Sequence, residues 1–214
     1  MKKTMTKLIL MFSFTFMSPL VYADIECKGD PIKQGRYLNK NPPKSWTDCY
    51  GEYTYLSGSI YRGSFINGKR HGEGVLKQSN GSYYEGSWHN DKPEGDGLVV
   101  TIEPIYYEGT WKDNLFQGVI TFPNHDVFEG TWINGQQTGF GKLIFNTGLT
   151  YEGDLENGKY NGNGILIFED GSRYSGEWLM GLQHGDGSLI YNDGKEFIGN
   201  WYLGKFYGNH SPIQ

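Results

Sequence analysis

The chain has 214 residues, of which 32 are glycine, about twice ordinary usage, and aromatic residues make up another 16%. Collagen would need glycine at every third position with abundant proline, a disordered glycine-rich linker would lack the rings, and a helical bundle would not carry so much interior glycine. The formal charge of −5 argues against nucleic acid and against electrostatic docking on anionic lipid, both of which need Lys/Arg clusters.

In chain order, residues 1–23 read as a cleaved signal peptide. Lys2, Lys3 and Lys7 form a positive start, Leu8 to Val21 is apolar, and Val21 and Ala23 fit the small-residue pattern before a cut. Ser13, Thr15, Ser18 and Pro19 interrupt the run, which disfavours a membrane span. Without those three lysines the mature chain has net charge −8, all of it beyond Tyr61. An exported protein, periplasmic or secreted, is expected. Cys27 and Cys49 follow, and in that setting read as a disulfide. A metal or catalytic thiol is the alternative, with a weak signature because no histidine lies between them. The disulfide would tie residues 24–48 onto the first strand as an N-terminal cap.

From Tyr61 a pattern recurs. Tyr61-Arg62-Gly63-Ser64-Phe65 returns as Tyr84-Glu85-Gly86-Ser87-Trp88, Tyr107-Glu108-Gly109-Thr110-Trp111, Phe128-Glu129-Gly130-Thr131-Trp132 and Tyr151-Glu152-Gly153-Asp154-Leu155. Tyr174-Ser175-Gly176-Glu177-Trp178 and Phe197-Ile198-Gly199-Asn200-Trp201 complete the series. The spacing is 23 residues except for one interval of 21. A Gly-x-Gly block follows at fixed offset, from Gly72-Glu73-Gly74 to Gly185-Asp186-Gly187, and the third repeat shows Gly118-Val119-Ile120 instead. Asn-Gly and Asp-Gly pairs at 67–68, 80–81, 134–135, 157–158, 170–171 and 193–194 mark hairpin turns.

Each repeat therefore reads as a β-hairpin: 61–83, 84–106, 107–127, 128–150, 151–173, 174–196 and a last outgoing strand in 197–210. Residues 49–60 form a half repeat and 211–214 a tail. The fold class is all-β, one antiparallel meander of about 14 strands, roughly 65 Å long. Period 2 puts Tyr84, Gly86 and Trp88 on one face and Glu85, Ser87 and His89 on the other. Mid-strand glycines are expected to be notches over which rings lie flat.

The pattern Y-E-G-x-W-x-x-G-x-x-x-G-x-G on a 23-residue period resembles the MORN repeat (membrane occupation and recognition nexus), over about residues 49–210. The resemblance implies a twisted, elongated, single-layer sheet of hairpins acting mostly as a scaffold or protein-interaction module, with lipid binding as the property behind the family's name. Departures from its pattern are Asp91 and Asn114 in repeat turns, Ile120 at a glycine place and Leu155 at an aromatic one. The two-residue deletion is expected near Pro123-Asn124-His125-Asp126.

Nucleophile elbows, phosphate loops and dinucleotide fingerprints are absent from the sequence, and no cofactor is expected. His71 and His184 occupy one repeat slot five repeats apart, roughly 50 Å, too far to share a metal. Glu85, Glu108, Glu129 and Glu152 form a ladder at about 10 Å, read as a solvated face. Glu152, Asp154 and Glu156 alternate on one strand face, with a weak calcium site as the alternative reading. The candidate binding groove is the aromatic ladder of Tyr84, Trp88, Tyr107, Trp111, Phe128, Trp132, Tyr151, Tyr174 and Trp178. The expected function is a non-enzymatic scaffold binding an unidentified protein or peptide, of basic character, along that groove. Membrane or phospholipid association through exposed rings is the alternative, disfavoured by charge, and a sugar-active enzyme has no singled-out acid pair. Homodimerisation through an unpaired C-terminal edge near Trp201 is a further expectation.

Overall fold

The computed structural model describes residues 26–28, 41–113 and 115–208. The expected leader, much of the cap segment, Asn114 and the 211–214 tail lie outside the described residues. Strand β1 (Cys49–Thr54) is followed by seven hairpins. They are β2 (Ile60–Ile66) with β3 (Lys69–Lys77), β4 (Tyr83–His89) with β5 (Lys92–Val100), β6 (Tyr106–Lys112) with β7 (Leu115–Thr121), and β8 (Val127–Ile133) with β9 (Gln136–Ile144). Then come β10 (Thr150–Glu156) with β11 (Lys159–Ile167), β12 (Arg173–Leu179) with β13 (Leu182–Ile190), and β14 (Glu196–Tyr202) with β15 (Lys205–Gly208). Each pairs antiparallel with its chain neighbour, so one sheet holds all 15 strands in sequence order.

The count exceeds the expected 14 by β15. Its turn is Leu203-Gly204, with φ of 47° and 82°, so the left-handed pair that a two-residue hairpin needs arises without asparagine or aspartate. Lys205 and Phe206 then pair with Tyr202 and Trp201. This corrects the expected dimer contact: the strand carrying Trp201 is covered on both sides, and Trp201 is buried with its indole N–H donating to the Gly187 carbonyl at 3.2 Å.

Within a standard hairpin two residues are looped out. In the first, Gly63 faces Gly74 while the next residue, Ser64, already faces His71, leaving Gly72 and Glu73 as a bulge. The hairpin of β6 and β7 has no such shift: Gly109, Thr110, Trp111 and Lys112 face Gly118, Gln117, Phe116 and Leu115 in unbroken register. Two expectations are corrected by this pairing. Gly118 takes the place of Gly74, and Ile120, opposite Tyr107, takes the place of Leu76, opposite Tyr61, rather than that of a glycine. The two missing residues are therefore the bulge between Trp111 and Gly118. The 123–126 turn is intact, with Phe122 and Asp126 bonded as Phe145 and Leu149 are one repeat later.

One face of the sheet carries the rings and fills itself. At Gly164 an added Cβ would come within 2.4 Å of the Tyr151 hydroxyl, and at Gly187 within 2.3 Å of the Tyr174 hydroxyl, so these glycines are the notches under the rings. Four of the rings are also tied down: the hydroxyls of Tyr61, Tyr84, Tyr151 and Tyr174 donate to the carbonyl three residues on, at 3.2, 2.9, 2.7 and 3.0 Å. The indoles of Trp88 and Trp178 donate to the preceding repeat at Gly74 and Gly164, at 3.0 and 3.1 Å. The two core clusters along this face are bridged by Trp111, which packs against both.

The N-terminal end is closed. Cys27 and Cys49 are disulfide-bonded across 22 residues, the Cys27 N–H donates to Tyr50, and Glu26 bridges Tyr50 in parallel. Trp46 is buried edge-on to Phe65 at 5.0 Å, its indole donating to Lys28.

Candidate functional site

The nine groove candidates separate into two groups. Tyr84, Trp88, Phe128, Tyr151, Tyr174 and Trp178 are buried, so they are core and offer no contact surface. This corrects the expectation of partly exposed rings there, and its cause is interleaving between repeats. Tyr151 is stacked on Tyr160 at 3.7 Å and meets Trp178 of the next repeat edge-on at 5.7 Å. Tyr160 lies on the return strand and is not part of the recurring motif, which is why the motif alone does not show it as a cover. Burial also raises the phenol pKa values: those of Tyr84 and Tyr174 are pushed up to about 12, chiefly by desolvation, with nearby carboxylates adding to it.

Tyr107, Trp111 and Trp132 remain half-buried, and all three lie around the hairpin without a bulge. Where Gly74, Gly97, Gly141, Gly164 and Gly187 have a tyrosine or phenylalanine ring among the nearest neighbours of an added Cβ, the nearest at Gly118 are all backbone, led by the Glu108 carbonyl at 2.2 Å. Phe116 sits instead against Trp111 at 4.7 Å. The indole nitrogen of Trp132 is buried with no hydrogen-bond partner, whereas its equivalents in Trp88, Trp178 and Trp201 each have one.

The opposite face has no covering layer among the described residues. A cross-strand row on it runs Tyr83, Val100, Tyr106, Thr121, continues Val127, Ile144, Thr150 and Ile167, and crosses eight strands without a charge. Tyr106 and Ile144 in this row are 46% and 41% exposed, and Phe140 nearby is 64% exposed. Two residues along each strand lies a second row in which the ladder Glu85, Glu108, Glu129 and Glu152 alternates with Leu98, Val119 and Lys142. Lys142 is ion-paired with Glu152 at 3.3 Å. At the hairpin tips of this face a shallow depression of about 430 Å³ is lined by Lys112, Asp113, Leu115, Ile133 and Asn134. Motif reasoning missed the uncharged row because its members vary in identity. The signal is period 2: each sits one residue before the aromatic that opens a motif, or opposite it on the return strand.

The calcium alternative at Glu152, Asp154 and Glu156 meets prior engagements. Glu152 holds Lys142, Asp154 accepts from the Asn163 N–H at 3.0 Å, and Glu156 accepts from the Asn161 amide at 2.6 Å. Among the described residues no three His, Cys, Asp or Glu side chains are placed to hold a metal ion. His71 and His184 stay in separate repeats, the first beside His89 at 4.8 Å and the second beside Tyr202 at 5.3 Å.

The family model described as MORN repeat matches residues 61–83, 84–98, 107–127, 128–150, 151–173 and 174–196. No match is found among the curated proteins compared. Of solved structures, the SAS-4 TCP domain of Drosophila melanogaster, in complex with a proline-rich motif of Ana2, is 17% identical over 71% of this chain and 90% of its own, with a TM-score of 0.40. Virginiamycin B lyase from Staphylococcus aureus is 14% identical over 77% of this chain and 57% of its own, with a TM-score of 0.17. A catalytically inactive form of that lyase with quinupristin is 12% identical over 78% and 73%, with a TM-score of 0.20. Scores this low transfer no function.

Proposed function

Because this chain belongs to the MORN repeat family, we propose that it is an exported, non-enzymatic scaffold that binds a protein or peptide on its sheet surface. The observation that carries this reading is the open face: a sheet whose other face is filled by its own rings still presents Phe140, Ile144 and Tyr106 to solvent. The half-buried Tyr107, Trp111 and Trp132 are the part of the aromatic groove left to add contacts from the ring face. The Cys27–Cys49 disulfide supports an oxidising compartment. Phospholipid association through the same exposed side chains is the second reading, and the glutamate row opposes it on anionic lipid.

The test is crosslinking and affinity capture with the wild-type chain, an Ile144→Ser/Phe140→Ser variant and a Trp111→Ala/Trp132→Ala variant. Loss of captured proteins with the first variant, at unchanged circular dichroism, supports the open face. A captured set unchanged by both variants refutes surface recognition by either face.

A further inference from the structure

Two rows of the open face have a fixed metric. Glu85, Glu108, Glu129 and Glu152 each stand two strands apart, about 9.6 Å at ordinary strand spacing. The uncharged row runs parallel to them, displaced by two residues along the strand, or about 6.7 Å. Four exposed carboxylates share the second row with one amine, Lys142, already held by Glu152, while Lys92, Lys112 and Lys159 stand at the hairpin ends of the same face, the first of them paired with Asp113 at 3.9 Å. Acids still outnumber these amines on the face, with Asp96, Asp154 and Glu156 inside β4 to β11 and Glu73, Glu177 and Asp186 on the flanking β3, β12 and β13.

We propose that this face, from β4 to β11, is a docking track for a cationic amphipathic α-helix of a partner protein. The proposal rests on the scaffold reading above and adds the chemistry of the occupant. Seven residues of α-helix advance about 10.5 Å, so one lysine or arginine per heptad falls opposite one glutamate per repeat. The mismatch of about 0.9 Å per repeat accumulates to about 2.7 Å over the ladder, which a flexible lysine stem takes up. A helix is about 10–12 Å across, so a single one covers both rows, apolar side chains on the uncharged row and cations on the acidic one. A second copy of this chain would set glutamate row against glutamate row. An anionic bilayer would meet the same repulsion.

The test uses a synthetic three-heptad peptide with lysine at one position per heptad and leucine on the adjoining face. Its counterpart has glutamate for each lysine. Fluorescence anisotropy with the full chain is expected to show the lysine peptide binding and the glutamate peptide not. Binding should weaken as salt rises from about 50 to 500 mM, because the contacts are exposed ion pairs. The variant Glu108→Gln/Glu129→Gln, which keeps side-chain shape, should lose about fivefold in affinity, the scale of two exposed pairs. Equal affinity for both peptides, an unchanged Kd for the Gln variant, or binding only to anionic vesicles overturns the proposal. Capture that is lost in Ile144→Ser/Phe140→Ser but indifferent to Glu108→Gln/Glu129→Gln would leave the scaffold reading standing and remove the cationic helix.

Discussion

Replacing Gly164 by alanine tests what the mid-strand glycines are for. The position has no left-handed backbone demand, so alanine by itself would stabilise by about 0.4–1 kcal/mol through the unfolded chain. The structure reverses the sign. The new Cβ would lie 2.4 Å from the Tyr151 hydroxyl, 2.6 Å from Cζ and 2.7 Å from Cε2. The ring has nowhere to go, since it is fully buried between the Tyr160 stack and the Trp178 edge. Overpacking costs about 1–3 kcal/mol, and losing the 2.7 Å bond from Tyr151 to the Asp154 carbonyl costs about 1 more. The net loss is about 2 kcal/mol, or roughly 4–8 °C in Tm for a chain of this size. Calorimetric melts of the single variants and of Gly164→Ala/Tyr151→Leu complete the cycle. If the collision is the cause, alanine should cost almost nothing in the leucine background. Additivity within about 0.5 kcal/mol would refute the notch.

Other consequences are equally open to measurement. Reducing Cys27–Cys49, or replacing both by serine, should destabilise by about 3 kcal/mol for a 22-residue closure and red-shift the emission of Trp46; an unchanged melt under reductant would show the cap to be dispensable. Trp178→Phe gives up the bond to Gly164 and should cost about 1 kcal/mol more than Trp132→Phe, whose indole nitrogen has no partner to lose; equal costs would mean that Trp132 finds one in solution. Burial raises the folded-state pKa of Tyr84 and Tyr174 to about 12, so their contribution to stability is complete below the ordinary phenol value near 10 and is lost as pH rises through 12. Titration followed at the phenolate absorbance should therefore show a late, cooperative phase in wild type, and its absence would place these hydroxyls in solvent.

Much of the fold was legible in the residues. The Tyr-Glu-Gly-x-Trp unit set a hairpin period, alternation assigned Glu85 and Trp88 to opposite faces, and the 23-residue offset placed Cys49 at the start of a half repeat, where the disulfide now closes the sheet. These are local properties, dictated by strand geometry and turn chemistry within one repeat. Ring accessibility is not local. Tyr151 is covered by Tyr160 from its own return strand and by Trp178 from the next repeat, so whether an aromatic is groove or core depended on neighbours that no single motif contains.

The shortened third repeat makes the same point. Counting residues showed that two were missing, but a gap of two can fall in a turn or in a bulge, and both satisfy the spacing. Only the pairing of Gly109 with Gly118 decided it, because cross-strand register is a relation between two segments. Sequence by itself determined the repeating strand, its turns and its two faces, since each follows from backbone and side-chain preferences over a few residues. Tertiary structure decided which face is spent on the core and which remains open, because burial is settled by what the neighbouring repeats bring to the same place.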